Sequence, residues 1–319
     1  MSKLRVGVIG VGYLGRFHAA KYAAIDDVDL VGVVDTDKAR ARQVARDLGT
    51  AAYTDHSALL NQVDAVSIVV PTPAHYAISR AFLSRDVDVL IEKPMTTSLR
   101  EADGLIDLAE QRGLIIQVGH LERFNPAVVA LRDRIRQVRF IESHRLSVYK
   151  ERCTDVSVVL DLMIHDIDII LNFVRSEVRE IRAAGIAVIS PSVDIANARL
   201  EFDNGCVANV TASRISMRNE RKMRLFQRDA YISIDFANHA ATIVRPEEGP
   251  ADACPVPGMA MEALQWEQGD ALDAEIRAFV DAVKRRLAPE VTGQMGRDAL
   301  KIALSIMEQI QRHEARQAG

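Results

Sequence analysis

The fold is set near the start of the chain by residues 4–15, LRVGVIGVGYLG. The beginning of this segment is apolar and β-forming, and its end, Gly10–Gly15, matches the pattern G-x-G-x-x-G. A glycine-rich turn between a strand and a helix is typical of a dinucleotide-binding βαβ unit. We therefore predict that a strand, a phosphate-binding loop and a helix follow one another here.

Each glycine of this loop has a separate steric role. Gly10 permits the tight turn, Gly12 lets the backbone approach a pyrophosphate, and Gly15 lets the helix pack closely on the strand. The helix N-terminus then offers free N–H groups and the positive end of its dipole to the phosphates. Tyr13 and Leu14 lie in the same loop. The alternative is that the glycines only shape a turn.

The first 120 residues contain short apolar runs separated by helical segments. The runs are Leu4–Gly10, Val28–Asp35, Ala65–Val70, Val87–Glu92 and Leu114–Gly119. They are nearly continuous in Val, Ile and Leu, as expected for parallel strands that are buried on both faces. Repeated βα units predict the α/β fold class, with a doubly wound parallel sheet in a Rossmann domain over residues 1–121.

Residues 122–319 have a different pattern, and we assign them to a second domain. Strand signals crowd together between residues 140 and 236, and Asp203-Asn204-Gly205 is a strong hairpin turn signal. A helix is predicted over Val156–Val174, and two amphipathic helices finish the chain. This half is therefore predicted to be an α/β domain with a mostly antiparallel sheet.

Composition excludes several classes of protein. A net charge of −4 offers no basic field, so we expect no nucleic-acid partner. No apolar run approaches the roughly 20 residues of a membrane span, and the first strand begins too early to leave room for a signal peptide. Three cysteines are too few and too scattered for a disulfide framework or a thiolate metal site. We expect a cytoplasmic protein.

An acidic residue follows the second predicted strand. Asp35 lies twenty residues beyond Gly15, where a carboxylate can bind the adenosine ribose hydroxyls and repel a 2′-phosphate. Thr36 comes next, and no arginine directly follows Asp35, although Lys38 and Arg40 are close. This pattern favours NAD over NADP. The alternative is that Asp35 only caps the next helix.

Two further strand ends carry polar side chains. Ligands bind outside the carboxyl ends of the strands in an open α/β sheet, so Lys93, which follows Glu92, is expected in the cofactor crevice. Its ammonium can stabilise alkoxide-like charge on a carbinol oxygen. Glu92 and Lys93 could equally form a surface ion pair. The Pro71-Thr72-Pro73 turn and His75 follow an adjacent strand and are expected to lie along the dinucleotide.

The helix over residues 156–174 is apolar except for a narrow polar stripe. At about 100° per residue, Asp161, His165 and Asp168 fall on one face. A histidine in this setting can take a proton from a hydroxyl, and Asp161 can orient it. The alternatives are a satisfied buried network and a metal site, although no further ligand cluster supports a metal. Asp166 points elsewhere and is predicted to be structural.

The segment after the last strand of the first domain contains His120 and Arg123. Because it starts at a carboxyl strand end, we expect these residues to contact cofactor or substrate; a structural hinge is the alternative. A basic run follows later in the chain and could bind a diphosphate, although a solvated surface is the default expectation. The run comprises Arg214, Arg218, Arg221, Lys222 and Arg224.

Taken together, Gly10–Gly15, Pro71–Pro73, Glu92–Pro94 and the Asp161–Asp168 run resemble the glucose–fructose oxidoreductase/inositol dehydrogenase (Gfo/Idh/MocA) family. The resemblance implies a second domain with a large open sheet for substrate binding and oligomerisation, and homodimers or homotetramers. It also implies a nicotinamide cofactor and an active-site Lys93, Asp161 and His165. The chain has Met163 where many members have glycine, which is expected to alter the substrate pocket.

The resemblance extends to the branch that contains UDP-N-acetylglucosamine 3-dehydrogenases, which implies NAD-dependent oxidation of a secondary hydroxyl of a sugar nucleotide. The alternatives are a dehydrogenase of a free polyol, inositol or hexose, and a non-catalytic NAD-binding sensor. The residues expected to contact the cofactor are Gly10, Gly12, Tyr13, Leu14, Gly15, Asp35, Thr36, Pro71, Thr72, His75, Glu92, Lys93 and His120. The residues expected to contact the substrate are Lys93, Arg123, Asp161, His165 and Asp168.

Overall fold

The computed structural model describes residues 3–149, 156–246, 254 and 256–317. The chain divides into two compact units. Unit 1 comprises Met1–Leu121 and Asp270–Leu300, and unit 2 comprises Glu122–Gly269 and Lys301–Gly319. Residues 270–300, which the sequence division placed in the second domain, therefore belong to unit 1.

Unit 1 contains a six-stranded sheet in which every pair of neighbouring strands is parallel. The strand order is β3-β2-β1-β4-β5-β6, which is the order of a doubly wound dinucleotide-binding fold. The strands are β1 (Leu4–Ile9), β2 (Val28–Val34), β3 (Ala51–Tyr53), β4 (Ala65–Ile68), β5 (Asp88–Glu92) and β6 (Ile116–Gly119). The predicted Rossmann sheet is confirmed.

Local signals define where the helices of unit 1 begin and end. The helices are α1 (Gly15–Ala23), α2 (Lys38–Leu48), α3 (His75–Leu83), α4 (Leu99–Arg112) and α7 (Ala271–Arg285). Asp37 caps α2 by accepting from two backbone N–H groups, and Ser98 caps α4. The last helix, α8 (Gly293–Gln317), begins in unit 1, and its residues from Lys301 belong to unit 2.

The apolar side of α7 explains why the end of the chain returns to unit 1. Leu272, Ile276 and Phe279 are buried at helical spacing and belong to the same core cluster as residues of β1 and β2, including Val6 and Val33. Burying such a stripe stabilises the fold by roughly 2 kcal/mol per large apolar side chain. The Rossmann sheet is thus covered by a helix from a distant part of the sequence.

Unit 2 contains an eight-stranded sheet in the order β14-β13-β12-β11-β7-β10-β9-β8. Only β7 and β10 pair in parallel within the described residues, so the prediction of a mostly antiparallel sheet is confirmed. The strands are β7 (Phe140–Leu146), β8 (Val178–Ile186), β9 (Ile195–Phe202), β10 (Val207–Ser213), β11 (Glu220–Phe226), β12 (Tyr231–Asp235), β13 (Ala240–Pro246) and β14 (Met259–Gln265). Gly205, with φ of 81°, forms the predicted turn between β9 and β10.

Two α-helices and a π-helix precede β8 in unit 2. The α-helices are α5 (Pro126–Leu131) and α6 (Ile164–Val174), and the π-helix is Val159–Met163. The backbone N–H of Ile164 donates to the Val159 carbonyl, five residues earlier. The prediction of one α-helix over residues 156–174 therefore fails at its start, because the helix is wider there.

Among the described residues, no helix has the length and hydrophobicity needed to cross a membrane.

Cys206 is buried and Cys254 is half-buried, and both are free thiols. Cys153 lies outside the described residues.

Candidate active site

The phosphate loop has the predicted steric design. Gly10 has φ of 86°, and a Cβ atom added there would overlap the Val69 carbonyl. A Cβ added at Gly15 would overlap the Gly10 carbonyl, whereas Gly12 has open space around its Cα. The first and third glycines thus shape the turn, and the second leaves room for a ligand against the backbone.

The start of α1 is suited to an anion. Leu14 occupies the N-cap position and offers no side-chain acceptor to the N–H groups of the first turn. Tyr13 is exposed, and its ring contacts Phe17 edge-on, with 5.6 Å between the ring centroids. The guanidinium of Arg16 lies over both rings, 5.4 Å and 4.8 Å from their centroids. The loop therefore combines an uncapped helix terminus with a nearby exposed cation.

Asp35 follows β2 and is buried beside the loop. Its Oδ2 accepts the Val11 N–H over 3.1 Å, and its Oδ1 accepts the Asp37 N–H over 2.9 Å. Arg40 forms an ion pair with the same carboxylate at 3.2 Å. The carboxylate therefore connects the end of β2 to the phosphate loop, a contact that was not predicted from the sequence. It also stands at the position that selects the ribose.

A cavity of about 760 Å³ opens at the carboxyl ends of β1, β2 and β4. Gly10, Gly12, Asp35, Thr36 and Pro71, all predicted to contact the cofactor, line it. The cavity lies where the strand order reverses between β1 and β4, which is where doubly wound sheets bind dinucleotides. Its acidic residue and its open glycine fit the adenosine half of NAD.

His75 contacts the backbone of two loops of unit 1 through its imidazole. Its Nε2 lies 2.8 Å from the Val70 carbonyl, and its Nδ1 lies 3.0 Å from the Pro94 carbonyl. Burial lowers the pKa of His75. The imidazole thus links the loop after β4 to the turn after β5. Thr72 lies beside it in a short 3₁₀ helix, Thr72–Ala74.

Glu92 and Lys93 lie at the end of β5 and are both half-buried. The Lys93 N–H donates to Glu92 Oε2 over 3.2 Å, and His18 Nε2 of α1 lies 3.3 Å from Glu92 Oε1. Burial opposes ionisation of Glu92, but His18 and Lys93 outweigh it, so the pKa of Glu92 lies below its usual value. His18 is fully buried, and Glu92 is directed inward toward it.

Sequence reasoning missed a third member of this group, Glu275 of α7. Its side chain is fully buried, and its carboxylate, Glu92 and His18 have potential ligand atoms within 4.8 Å of one another. Burial, with the nearby Glu92 charge, raises the pKa of Glu275 well above its ordinary value. A signal was present, because Glu275 interrupts the apolar stripe of Leu272 and Ile276.

His120 follows β6 and is buried in unit 1. Arg123 belongs to unit 2, where it forms a two-pronged ion pair with Asp168 of α6. Arg123 Nε lies 2.7 Å from Asp168 Oδ2, and Arg123 Nη2 lies 3.0 Å from Asp168 Oδ1. Both side chains are at most 3% exposed. Arg123 and Asp168, both predicted to contact substrate, are thus each other's partners.

Asp161 lies in the π-helix and His165 in the first turn of α6, and both are half-buried. The neighbouring Met163 and Asp168 are buried. π-helical turns occur frequently at functional sites, because they alter the direction of side chains within a helix. The prediction that Asp161, His165 and Asp168 share one face assumed α-helical spacing throughout. That spacing is present only from Ile164, where α6 begins.

A second buried ion-pair network lies beside α6. Arg145 of β7 donates from Nε and Nη2 to Asp166, both over 2.9 Å, and from Nη1 to Glu122 over 2.9 Å. Burial raises the pKa of Asp166, although Arg145 opposes it, and two acidic neighbours raise the pKa of Arg145 despite its burial. The predicted structural role of Asp166 agrees with this fixed contact between α6 and the sheet.

The basic run after β10 is fully matched by acidic side chains. Arg218 lies 2.8 Å from Glu220, Arg224 lies 3.4 Å from Glu142, and the others have carboxylates within 4.0 Å. The remaining partners are Arg214 with Asp194, Arg221 with Glu122, and Lys222 with Asp235. The four exposed members of the run therefore form an ion-paired surface, whereas Arg214 is buried.

A glycine-rich loop at the switch point of a parallel sheet, with an acidic residue after β2, defines a dinucleotide-binding protein. Residues 4–120 match the oxidoreductase family with an NAD-binding Rossmann fold, and residues 129–233 match the Gfo/Idh/MocA C-terminal domain. The chain belongs to the Gfo/Idh/MocA family and is an NAD-dependent oxidoreductase. The family resemblance and the predicted cofactor are confirmed.

Several relatives match almost the full length of the chain. UDP-N-acetylglucosamine 3-dehydrogenase from Acidithiobacillus ferrooxidans is 41% identical, over 96% of this chain and 97% of its own length. Its solved structure has a TM-score of 0.93 and covers 98% of this chain and 99% of its own. NAD-dependent scyllo-inositol 2-dehydrogenase from Bacillus subtilis is 28% identical, over 91% of this chain and 89% of its own length.

A solved structure with bound ligands shares the fold at lower sequence identity. Scyllo-inositol dehydrogenase from Lactobacillus casei, with NAD(H) and scyllo-inositol bound, has a TM-score of 0.81 at 20% identity. It covers 98% of this chain and 98% of its own.

Proposed function

We propose that the protein oxidises the 3-hydroxyl of UDP-N-acetylglucosamine to a ketone. The observation that carries this proposal is the 41% identity, across 96% of the chain, with an enzyme of that activity from Acidithiobacillus ferrooxidans. The inositol dehydrogenases are more distant, at 28% identity or less for those that match most of the chain. A sugar-nucleotide substrate is therefore favoured over a free cyclitol.

The cofactor requirement fits the residues of unit 1. Gly12 and the N-terminus of α1 would hold the pyrophosphate, and Asp35 would hold the adenosine ribose hydroxyls. NAD supplies the redox chemistry by accepting hydride from the carbinol carbon. The Gly10 turn and the buried contacts of Asp35 keep these groups in place without a ligand.

We propose that Lys93 holds the reacting hydroxyl oxygen and that His165 accepts its proton, with Asp161 orienting the imidazole. A half-buried ammonium at a carboxyl strand end can stabilise the negative charge that develops on the oxygen. A half-buried histidine at a π-to-α transition can exchange a proton with a hydroxyl. The family resemblance implies that Lys93, Asp161 and His165 belong to the active site, and the division of roles between Lys93 and His165 is part of the present proposal.

A panel of substrates tests the function directly. Purified protein is mixed with NAD and either UDP-N-acetylglucosamine, free N-acetylglucosamine, myo-inositol or scyllo-inositol, and NADH is followed by its absorbance. We expect turnover with the sugar nucleotide, and a product that mass spectrometry shows to lack two hydrogens. A clear preference for either inositol would replace this substrate, and NAD binding with no turnover on any compound would support a sensor.

We further propose that the protein works in the cytoplasm as a homodimer or homotetramer that assembles through the sheet of unit 2. Exposed apolar side chains at and after the end of β8 support an interface there. Ile186, Val188 and Ile189 are each more than half exposed, at 56%, 59% and 59%. Analytical ultracentrifugation is expected to show an oligomer, and a monomer at micromolar concentration would contradict the proposal.

A further inference from the structure

The strongest feature of unit 1 that the proposed function leaves unused is the buried carboxylate Glu275. Neither of its oxygens has a hydrogen-bond partner among the described residues, and the side chain is 0% exposed. An isolated buried charge is costly, since burial removes its hydration without replacing it. Glu275 lies close to Glu92, the last residue of β5 and the residue before Lys93, so its burial calls for a physical explanation.

The neighbours of Glu275 make a second negative charge unfavourable. The carboxylates of Glu92 and Glu275 have oxygens within 4.8 Å of each other, and His18 is the third member of this group. Two carboxylates at such a distance cannot both ionise readily, so one takes the proton. Glu92 is the carboxylate that ionises more readily, because His18 and the Lys93 N–H stabilise its negative charge.

Within the part of the chain that the structure describes, the other polar groups around this pair add no cation to His18 and Lys93. Ser67 of β4 contacts His18 Nδ1 at 3.3 Å and the Tyr22 hydroxyl at 2.8 Å. Gln117 of β6 donates to the backbone carbonyl of Glu275 over 3.1 Å. The titratable or charged groups facing the pair are His18 and Tyr22 from α1, His75 from α3, and Lys93.

We propose that Glu275 keeps its proton at neutral pH while Glu92 is ionised, so that the pair bears a single negative charge beside the Lys93 N–H. Glu275 is then a positioning residue. Its neutrality prevents repulsion that would push Glu92 away from the Lys93 N–H, and it thereby fixes the backbone of Lys93. The effect on turnover rests on the proposed catalytic role of Lys93.

Room for the Glu92 side chain is also built into the sequence. A Cβ added at Gly119 of β6 would lie 3.0 Å from the Glu92 carboxyl carbon and 3.0–3.1 Å from its oxygens. The absence of a side chain at Gly119 therefore provides the space that the Glu92 carboxylate occupies, and a larger residue there would press on it.

Infrared spectroscopy of the full-length protein at neutral pH tests the protonation state without requiring activity. The wild-type spectrum is expected to contain the carbonyl stretch of a protonated carboxylic acid, and Glu275→Gln is expected to remove it. If the wild type and Glu275→Gln show the same spectrum in this region, Glu275 is ionised and the proposal is overturned. A stoichiometric divalent metal retained after dialysis would also overturn it, because a metal would keep both carboxylates ionised.

Kinetics with UDP-N-acetylglucosamine tests the positioning role. Glu275→Ala is expected to lower kcat about tenfold to a hundredfold, the scale of a misplaced catalytic group. Glu275→Gln is expected to keep a kcat close to that of the wild type, because its amide is neutral at every pH. Glu110→Gln, at an exposed site on α4, is the matched control. Equal losses for Ala and Gln would overturn the proposal, as would wild-type kcat for Ala.

The two measurements separate this proposal from the proposed function. If Lys93→Ala keeps wild-type turnover, the catalytic assignment fails, whereas the infrared result still decides whether Glu275 holds a proton. If Glu275→Ala fails to fold, the Gln variant and its pH profile decide the matter. A pH profile of kcat that matches the wild type supports a neutral Glu275, and an altered profile contradicts it.

Discussion

Arg40 donates from Nη1 to both carboxylate oxygens of Asp35, over 3.3 and 3.2 Å. Asp35 is buried, whereas the Arg40 side chain is 48% exposed. Asp35 stands where a Rossmann unit selects the ribose, so a cation suited to phosphate is held beside the residue that repels phosphate. Asp35, which favours NAD, thus also holds Arg40, whose guanidinium could otherwise bind the 2′-phosphate of NADP.

Substitution of Asp35 should therefore change the cofactor preference. Asp35→Ser removes the repulsion and releases Arg40 to pair with a 2′-phosphate, as a guanidinium does with two hydrogen bonds. We expect kcat/KM for NAD to fall about tenfold and that for NADP to rise about tenfold, since each tenfold change requires about 1.4 kcal/mol. Steady-state kinetics with both cofactors measures the change.

The double variant Asp35→Ser/Arg40→Gln is the control. Its kcat/KM for NADP should not rise, because the cation that would bind the 2′-phosphate has been removed. Its kcat/KM for NAD should stay as low as in Asp35→Ser. A gain with NADP that persists without Arg40 would show that another residue binds the phosphate, and this reading of the pair would then be wrong.

Removal of either proposed catalytic side chain should abolish most turnover. Lys93→Ala and His165→Ala are each expected to lower kcat by roughly a hundredfold or more, the usual contribution of a positioned acid or base, while the Kd for NAD stays within about threefold. Lys301→Ala and His144→Ala, at exposed positions, are the matched controls. Wild-type kcat in both active-site variants would refute the assignment.

The sequence predicted unit 1 well because its signals are local. The strand–loop–helix of residues 4–15 depends on neighbours in the chain. Glu275 did not emerge as a site residue, since its partners Glu92 and His18 are distant in sequence and meet only in the folded core. A carboxylate on the apolar stripe of α7 was the available signal.

Unit 2 shows where periodicity is insufficient. The π-helix Val159–Met163 has the same apolar composition as an α-helix, and its geometry depends on backbone contacts such as Val158 N–H to the Val193 carbonyl, 3.0 Å. Strands β13 and β14 were missed. The edge strand is β14, whose residues are all at least partly exposed, so its sequence lacks a strong apolar alternation, whereas β13 pairs on both sides and buries only Ala241 and Ile243.

The buried network of Arg145 predicts a large loss of stability when one partner is removed. Asp166→Asn leaves the guanidinium with Glu122 as its remaining anion in the described network, and breaking a buried pair costs about 3–5 kcal/mol. We expect a lower midpoint of urea-induced unfolding, followed by circular dichroism. Glu142→Gln, which breaks the exposed pair with Arg224, should cost under about 1 kcal/mol. Equal effects of the two substitutions would contradict a special role for the buried network.

Asp194 offers a pH-dependent test in unit 2. Its buried Oδ2 accepts the N–H groups of Val188, Ile189 and Ser190 over 2.7–2.9 Å, and its Oδ1 accepts the Ser190 hydroxyl. Burial opposes ionisation, but these donors outweigh it and hold the pKa of Asp194 well below its ordinary value. The carboxylate therefore stabilises the loop between β8 and β9 only while it is ionised.

The sign of the pH effect follows from the lowered pKa. The stabilisation is present above the unfolded-state pKa of about 3.9 and is lost as the pH falls through the lower folded-state value. Asp194→Asn should thus lower Tm at neutral pH, by the equivalent of about 1.5–3 kcal/mol for hydrogen bonds to a charged group, and the difference from wild type should shrink below about pH 4. Calorimetry across this range measures it, and a difference in Tm that is constant with pH would show that the charge of Asp194 does not stabilise the fold.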